Sequence, residues 1–363
     1  MPLSIGIVGL PNVGKSTLFN ALTRQKVLAA NYPFATIDPN VGVVAVPDER
    51  LSKLAELEHS KKIVPTIIEF VDIAGLAKNA HKGEGLGNQF LSHIRETDAI
   101  AEVVRFFDNP DILHVEGKVD GGRDMETIKT ELILADLATL KKRLEATRSE
   151  AKSGDKKTIL KLQALEKIET GLSAGQMARE VAMSEEEKEN LKELQLLTAK
   201  PILYIANTEY DTTNRTYKSY GSNKSNPAGD ESLIPIDAKL EAELAELSEE
   251  ERADYLKELG LLESGLDKLI KAAYKTLGLI TFLTTGPDET RAWTTLSGSS
   301  APIAAGKIHT DFEKGFIKAE VINWQKLLSA SGWNSARDRG WLRTEGREYV
   351  VADGDVVFFK HAL

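Results

Sequence analysis

A short segment near the start of the chain constrains the fold more than any other feature. Residues 9–17 read GLPNVGKST and fit the phosphate-binding pattern G-x-x-x-x-G-K-[ST]. The apolar alternation in 3–8 predicts a strand before the segment, and 18–22 (LFNAL) predicts a helix after it. Glycines let the backbone approach a phosphate closely, and a helix N-terminus adds partial positive charge. The segment therefore predicts an α/β domain that captures an anion; the alternative is a Gly-rich turn without a ligand.

The residue types within this loop predict how a nucleotide would be held. We expect Lys15 to reach the β- and γ-phosphates and to act in catalysis, and the Ser16 hydroxyl to ligate Mg²⁺. The predicted cofactor-binding residues of the loop are Asn12, Val13, Gly14, Lys15, Ser16 and Thr17.

A second motif follows the buried strand predicted over 67–72. Residues 72–75 read DIAG and fit D-x-x-G, in which Asp72 would hold Mg²⁺ through water and the Gly75 N–H would contact the γ-phosphate. Thr36 lies in the intervening loop, where a threonine completes Mg²⁺ coordination; its alternative is an ordinary loop residue. The predicted metal ligands are therefore Ser16, Thr36 and Asp72.

The chain length of 363 residues predicts two or three domains. Segments over 1–120 alternate between strand-like and helix-like, which indicates a parallel sheet. Apolar residues at spacings of three and four, from Ile133 to Leu144 and from Ile159 to Leu172, then predict an antiparallel helical hairpin broken at 153–155 (SGD). A capping box at 184–187 (SEEE) predicts a further helix, and the whole insertion covers about 124–198. From 280 onward, short β-rich runs separated by Gly turns predict a small, mostly β domain. We therefore predict a domain over 1–279, with the insertion, and a second over 280–363.

Composition excludes several classes of protein. The chain has no cysteine, which rules out disulfides and thiolate metal sites. No apolar run of about 18 residues exists that would span a membrane, and we expect a cytoplasmic protein without membrane partners. The net charge of −9 argues weakly against bulk binding to nucleic acid, although a local basic face is compatible with it.

The base-reading region departs from that of a guanine-specific protein. Such a protein carries N-K-x-D, whose Asp accepts hydrogen bonds from guanine N1 and N2. Residues 207–210, which follow the strand predicted to end at Ala206, instead read NTEY. We expect Asn207 and Thr208 to contact a purine base. The residue after D-x-x-G is Leu76, which cannot orient an attacking water as glutamine does.

Several long segments in the same order resemble the Obg-like ATPases, the YchF family. The resemblance covers nearly the whole chain. It rests on GLPNVGKST at 9–17, NYPF at 31–34, FVDIAGL at 70–76, GEGLGN at 83–88, RETDA at 95–99, RAW at 291–293 and IHTDFEKGFI at 308–317.

This resemblance implies a P-loop G-domain of OBG type with a helical insertion and a C-terminal TGS domain of β-grasp fold. It also implies a preference for ATP over GTP, with Leu76 as the family's replacement of the catalytic glutamine. By position, His114 matches a catalytic histidine, Asn12 a residue that helps bind K⁺, and Phe107 an aromatic packed on adenine. The alternatives are a loop histidine without a role at 114 and a core phenylalanine at 107.

Two positions depart from the family pattern. The family reads N-x-x-E, whereas Glu209 lies only two positions after Asn207. The family's Ser-Ala-Lys purine loop reads Asp237-Ala238-Lys239 in this chain.

Together these features predict a Mg²⁺-dependent ATPase that acts as a slow nucleotide switch and binds the ribosome. The alternatives are a GTPase of translation-factor type and a nucleotide-gated binding module with negligible turnover. Residues 307–347 carry a modest excess of basic over acidic side chains, for which the alternative is an ordinary mixed surface. The resemblance to TGS domains, which occur in proteins that work with RNA or ribosomes, implies RNA contact through this domain. The basic residues are Lys307, Lys314, Lys318, Lys326, Arg337, Arg339, Arg343 and Arg347.

Overall fold

The computed structural model describes residues 3–24, 40–73, 86–109, 119–218 and 233–362. Their contacts divide them into two compact units. One comprises 3–24, 40–42 and the described part of 69–268, and the other comprises 43–68 and 269–362.

The strands and helices of the described residues are numbered in chain order. The strands are β1 Ser4–Val8, β2 Val41–Ala45, β3 Ile63–Val64, β4 Ile67–Asp72, β5 Ala99–Arg105, β6 Ile202–Asn207, β7 Tyr210–Asp211, β8 Thr216–Tyr217, β9 Leu233–Ile236, β10 Leu279–Thr284, β11 Thr290–Leu296, β12 Phe316–Asn323, β13 Arg343–Glu345 and β14 Asp355–His361. The helices are α1 Lys15–Arg24, α2 Glu49–Glu58, α3 Leu86–Glu96, α4 Gly121–Glu150, α5 Lys156–Ser173, α6 Glu185–Leu191, α7 Ala238–Leu244, α8 Glu249–Leu259, α9 Gly265–Thr276, α10 Ala301–Ile308, α11 Thr310–Lys314, α12 Trp324–Ala330 and α13 Trp333–Asp338.

A six-stranded sheet in the order β2-β4-β1-β5-β6-β9 forms from the described residues. Strand β1 pairs in parallel with β4 and β5, and β6 pairs in parallel with β5 and β9. Strands β5 and β6 are buried at every position, as expected for a parallel sheet covered on both faces. The predicted α/β class with a parallel sheet is confirmed. The carboxyl ends of β1, β4, β5 and β6 meet at one edge, where ligands bind in open α/β sheets.

The predicted helical hairpin is present as α4 and α5. Gly154 turns the chain between them with φ of 79°, and Asp155 then caps α5 by accepting from the Thr158 N–H. Predicted core positions that are buried are Ile133, Leu140, Leu144, Leu165, Ile168 and Leu172. Ile159 was predicted to lie on the same face but is 38% exposed, because it belongs to the first turn of α5, at the tip of the hairpin.

Polar side chains fix the return of the insertion to the sheet. Asp136 of α4 is fully buried and accepts hydrogen bonds from the Leu197 and Thr198 N–H groups at 2.9 and 2.8 Å. Ser184 and Glu187 form the capping box that the sequence predicts at the start of α6. Within the described residues, no helix combines the length and the hydrophobicity that a bilayer-spanning segment requires.

The second unit contains a mixed sheet in the order β13-β12-β14-β10-β11-β3, counted over the described residues. Strand β14 pairs parallel to β10 and antiparallel to β12, and α10 packs on one face with Phe282, Ala319 and Val357. This arrangement is that of a β-grasp domain, as predicted. Four helices, α10 to α13, accompany its described strands. Residues 349–351 also form only an isolated bridge between Val350 and Ser300 rather than a strand.

A segment from the first half of the chain belongs to this second unit. Strand β3 pairs in parallel with β11, and Leu51 and Leu54 of α2 lie in a core with Leu283 and Ile322. By their contacts, residues 43–68 group with the second unit, and within them the apolar face of α2 packs on the C-terminal sheet. The predicted boundary between 279 and 280 stays a prediction.

Candidate nucleotide-binding site

The phosphate loop has the backbone geometry that its glycines allow. Gly14 has φ of 92°, and a Cβ there would lie 2.1 Å from Asn207 Nδ2. A Cβ at Gly9 would lie 2.7 Å from the Val103 carbonyl oxygen. Both positions therefore exclude side chains, and the loop lies directly against β5 and Asn207. Helix α1 begins at Lys15, and the Leu18 N–H donates to the Gly14 carbonyl at 3.0 Å.

Lys15 joins the phosphate loop to the D-x-x-G motif. Its Nζ lies 2.8 Å from Asp72 Oδ1, and its side chain is only 11% exposed. Strand β4 places Asp72 beside the loop because β4 pairs with β1 in register, Ile7 opposite Asp72. The two motifs that the sequence predicted to act together are thus in direct contact.

Asn207 holds two loops together with its amide side chain. Its Nδ2 donates to the Val13 carbonyl at 2.8 Å, and its Oδ1 accepts from the Ala238 N–H at 3.2 Å. The sequence predicted that Asn207 contacts the base. The structure shows a buried side chain that bonds the phosphate loop to the start of α7, and Asn207 also lines the cavity described below.

The side chains of Asp237 and Thr208 also form hydrogen bonds with backbone groups. Asp237 Oδ1 caps α7 by accepting from the Lys239 and Leu240 N–H groups, and Oδ2 accepts from the Tyr210 N–H at 2.9 Å. The Thr208 hydroxyl donates to the Lys218 carbonyl at 3.2 Å. Glu209 forms an ion pair with Lys218. The departure to Asp at 237 is therefore explained by helix capping.

Phe107 lies in the cavity wall, and a buried arginine supports it. The Arg105 Cζ lies 4.4 Å from the Phe107 ring centroid, and Arg105 Nε donates to the Phe107 carbonyl at 3.1 Å. The Phe106 N–H donates to the Asn207 carbonyl at 2.8 Å, which ties this loop to β6. Phe107 is partly exposed, and its packing on adenine stays a prediction.

These elements surround a cavity of about 1030 Å³, which is at the upper end of the size range of small-molecule sites. Its lining combines the phosphate loop with the loops after β5, β6 and β9. The predicted site residues among its lining are Asn12, Gly14, Lys15, Ser16, Thr17, Phe107, Asn207 and Thr208. Val13 contributes its carbonyl to Asn207, while its side chain is buried.

Three predicted site residues lie outside the described residues: Thr36, Gly75 and His114. Leu76 and several of the family-like segments lie there too. The K⁺ role of Asn12 also stays a prediction.

The donors in place fit a magnesium ion. The Ser16 hydroxyl lies at the start of α1, directly after Lys15, whose ammonium contacts Asp72. A hydroxyl and a carboxylate are hard oxygen ligands, which Mg²⁺ takes together with waters and substrate phosphates. No cluster of three or more His, Cys, Asp or Glu side chains that would form a metal cage occurs in the described ranges.

Sequence reasoning missed Arg105 as part of the site. Arg105 is 1% exposed and is the largest of the fully buried side chains among the described residues. An arginine directly after the apolar Val103-Val104 was a usable signal, because arginine is almost never fully buried without partners. Sequence reasoning also missed Tyr210, which lines the cavity. Tyr210 is buried, and its hydroxyl donates to the Leu259 carbonyl at 2.8 Å.

Comparison with known proteins shows the family of this chain. A model of the family described as "50S ribosome-binding GTPase" matches 4–131, and the model of the C-terminal domain of YchF GTPases, described as a protein of unknown function, matches 279–362. The ribosome-binding ATPase YchF of Bacillus subtilis is 52% identical, with 99% of each chain covered. The chain belongs to the YchF family. The family resemblance predicted from the motifs is thereby confirmed.

Other YchF proteins extend the match over the whole length. The ribosome-binding ATPase YchF of Escherichia coli O157:H7 is 50% identical, with 99% of each chain covered. The solved structure of the Schizosaccharomyces pombe YchF GTPase superposes with a TM-score of 0.86 at 41% identity. It covers 99% of this chain and 97% of its own. The names of these YchF proteins differ between ATPase and GTPase, so the choice of base needs its own argument.

Proposed function

We propose that this chain is a Mg²⁺-dependent ATPase that prefers ATP to GTP, turns over slowly and acts as a nucleotide-driven switch on the ribosome in the cytoplasm. The contact between Lys15 and Asp72 at 2.8 Å carries the nucleotide part of the proposal. It brings the phosphate-binding loop and the D-x-x-G motif to one end of the cavity. The names of the YchF relatives, ribosome-binding ATPases, support the remainder.

The residues have separate roles in this proposal. Lys15 binds the β- and γ-phosphates, and Ser16 and Asp72 hold the metal, with Thr36 as a further ligand. A Mg²⁺ ion held by these residues would supply charge neutralisation for the phosphates of the nucleotide. Asn207 fixes the phosphate loop against α7, and Phe107 packs on the base. Since catalysis of phosphoryl transfer is mostly positioning and electrostatics, these fixed contacts are what the chain contributes.

The preference for ATP follows from the carboxylates beside the base. Reading guanine requires a carboxylate that accepts from N1 and N2. The aspartate among the described lining residues is Asp237, whose two oxygens already accept backbone N–H groups. Glu209 also lines the cavity, but it forms an ion pair with Lys218. A guanine ring would therefore lose solvent hydrogen bonds at N1 and N2 without replacement, which costs affinity.

We expect calorimetric titration to show ATP binding about tenfold or more tightly than GTP, a difference of about 1.4 kcal/mol. Inosine triphosphate distinguishes a hydrogen bond lost at N1 from one lost at N2, because it lacks the exocyclic 2-amino group of guanine. If N2 is the group left unpaired, inosine triphosphate should bind more tightly than GTP. A GTP affinity equal to or above that of ATP would contradict the preference and favour the GTPase alternative.

Slow turnover follows from Leu76, which cannot orient water, and His114 is the proposed substitute. A water-positioning group acts in the transition state, so His114→Ala should lower kcat while ATP affinity is kept. An unchanged kcat in this variant would contradict the assignment.

The C-terminal unit supplies a ribosome contact in this proposal. Its basic residues divide into those whose side chains bond to other residues of the domain and those whose side chains do not. Arg343 donates to the Tyr349 hydroxyl at 2.8 Å, and Arg347 donates to the Phe316 carbonyl at 3.1 Å. These two arginines stabilise the domain, so reversing their charge would confuse folding with binding. Lys314 is exposed and Lys318 is partly exposed, and neither ammonium group has a hydrogen-bond or ion-pair partner within the described residues.

We expect ribosomal particles to retain the protein at low salt and to release it as salt rises, because phosphate contacts displace counterions. Lys314→Glu and Lys318→Glu, singly and together, should weaken retention progressively and leave ATP affinity unchanged. Lys257→Glu, an exposed reversal on α8, is the control and should sediment like the parent chain. Absence of co-sedimentation at low salt in every nucleotide state would exclude the ribosome role.

A further inference from the structure

A second cavity lies away from the nucleotide site, between α3, α4 and the 3₁₀ turn Lys192–Leu194. Its volume is about 700 Å³ and it is open to solvent on one side. Along α4 its lining runs from Ala135 to Ala146, which is about 16 Å at the helical rise per residue. We call this cavity the α3–α4 groove. Its length exceeds that of a single phosphate or carboxylate group.

The charged lining of the groove is entirely basic within the described residues. It consists of Arg95 from α3 with Lys142 and Arg143 from α4, and the hydroxyls of Ser92 and Thr139 lie between them. The nearby Glu193 does not line the groove, and its carboxylate is bound by Arg143 at 3.0 Å and by Lys161. The groove therefore presents donors, and an anionic ligand would satisfy them.

Hydrogen bonds hold Arg95 and an ion pair holds Arg143, whereas Lys142 is available to a ligand. Arg95 donates to the Thr139 hydroxyl at 2.9 Å and to the Gln195 carbonyl at 3.2 Å, which holds its guanidinium against α4. The Arg143 Nε is buried and has no hydrogen-bond partner among the residues that the structure describes. Lys142 is exposed, and no described residue pairs with it. Fixed donors lower the entropic cost of binding.

The floor of the groove lets a ligand approach the helix closely. Ala138 and Ala146 are exposed on α4 and carry no side chain beyond Cβ. A bulky partner side chain would gain little apolar contact there, since alanine offers little surface. A linear chain of phosphates with hydroxyl and cation contacts fits this lining, because arginine, lysine and small hydroxyl residues are the usual donors to nucleic-acid phosphates.

We propose that the α3–α4 groove binds the phosphate backbone of an RNA strand, as a contact separate from the C-terminal lysines. The proposal deepens the ribosome part of the proposed function and rests on it for the source of the RNA. Lys142 and Arg143 contact phosphates, and Arg95, fixed on Thr139, orders the wall. An acidic peptide is the competing occupant, and the experiment separates the two.

The test measures binding of a fluorescein-labelled RNA hairpin by anisotropy over a series of salt concentrations. Lys142→Glu should weaken binding at low salt by roughly three- to tenfold, and the slope of log affinity against log salt should become shallower by about 1. Lys141→Glu is the matched control: it is exposed, has the same charge change on the same helix, and lies outside the lining. It should bind RNA like the parent chain.

A second variant adds a charge to the groove without removing a side chain that would contact RNA. Ala138→Glu introduces a negative charge into the groove at an exposed helical position and should weaken RNA binding to a similar extent. ATP affinity and thermal stability should match the parent chain in all three variants. Lys142→Glu and Lys141→Glu binding RNA equally would overturn the groove assignment, as would a parent chain that binds no RNA.

Two comparisons distinguish RNA binding in the groove from binding of an acidic peptide there and from ribosome binding through the C-terminal lysines. Poly-glutamate that displaces the RNA hairpin at equal charge concentration would assign the groove to an acidic peptide and overturn the RNA proposal. Ribosome co-sedimentation that depends on Lys314 and Lys318 but not on Lys142 or Ala138 would leave the ribosome role intact and overturn only the groove. Loss of sedimentation with Lys142→Glu and not with Lys141→Glu supports it.

Discussion

Lys15→Ala should lower ATP turnover by about a hundredfold or more and weaken ATP binding. The reason is electrostatic: Lys15 is the cation that the fold holds beside Asp72, and its side chain is mostly removed from solvent. A positive charge fixed in advance at the developing phosphate charge is worth far more than one in water, and loss of one such group costs about 10² to 10³ in rate. Phosphate release under saturating Mg²⁺ and ATP measures this directly.

Two companion variants separate charge from folding. Lys15→Arg keeps the charge but changes its geometry, so it should retain more ATP affinity than Lys15→Ala while turnover still falls. Ser16→Ala should instead raise the Mg²⁺ concentration needed for turnover, since a metal ligand is lost. Circular dichroism should show the same fold for all three. A Lys15→Ala protein that hydrolyses ATP at the parent rate would show that the site is assigned wrongly.

Glu241→Gln should remove a large part of the pH dependence of folding stability between about pH 5 and pH 7. Glu241 of α7 is 1% exposed and accepts from the Gly265 N–H at 2.6 Å, at the start of α9. Burial, with the nearby Asp267 charge, raises the pKa of Glu241 to about 7, although the Gly265 and Leu266 N–H groups and Arg252 act in the opposite direction.

The sign follows from the proton count. Above the ordinary pKa of about 4.5 the unfolded chain has released this proton, while the folded chain keeps it until about pH 7. The stability that the folded chain gains by keeping this proton on Glu241 is therefore complete below about pH 4.5 and is lost as pH rises through 7. The free energy of unfolding falls by up to about 1.4 kcal/mol per pH unit in this window. Glutamine cannot ionise, so the difference in stability between variant and parent should grow in favour of the variant as pH rises.

Urea unfolding at a series of pH values measures this difference. The control is Glu243→Gln, which makes the same substitution at an exposed glutamate on the same helix, away from the buried contact with Gly265. If the Glu241→Gln and parent curves stay parallel between pH 5 and pH 8, the carboxyl is already ionised in the folded chain and the assignment fails.

Local sequence determined the elements around the nucleotide. The pattern at 9–17 required a strand, a glycine turn and a helix, and β1 and α1 follow because each residue there has the propensity and the spacing for them. The capping box at Ser184 and the hairpin break at Gly154 are also local, since their hydrogen bonds join residues within one turn. The family resemblance was readable for the same reason: its motifs are contiguous.

Tertiary structure alone decided what the distant polar groups do. Asn207 bonds Val13, 194 positions away in the chain, and Asp237 bonds Tyr210. Residue type and spacing did not predict these contacts between loops, and the contact of Asn207 with a base stays a prediction. The packing of α2 and β3 on the C-terminal sheet depends in the same way on partners far along the chain. Periodicity and motif spacing report only neighbours in sequence, whereas a hydrogen bond or an apolar contact between distant segments exists only once the chain has closed the intervening loop.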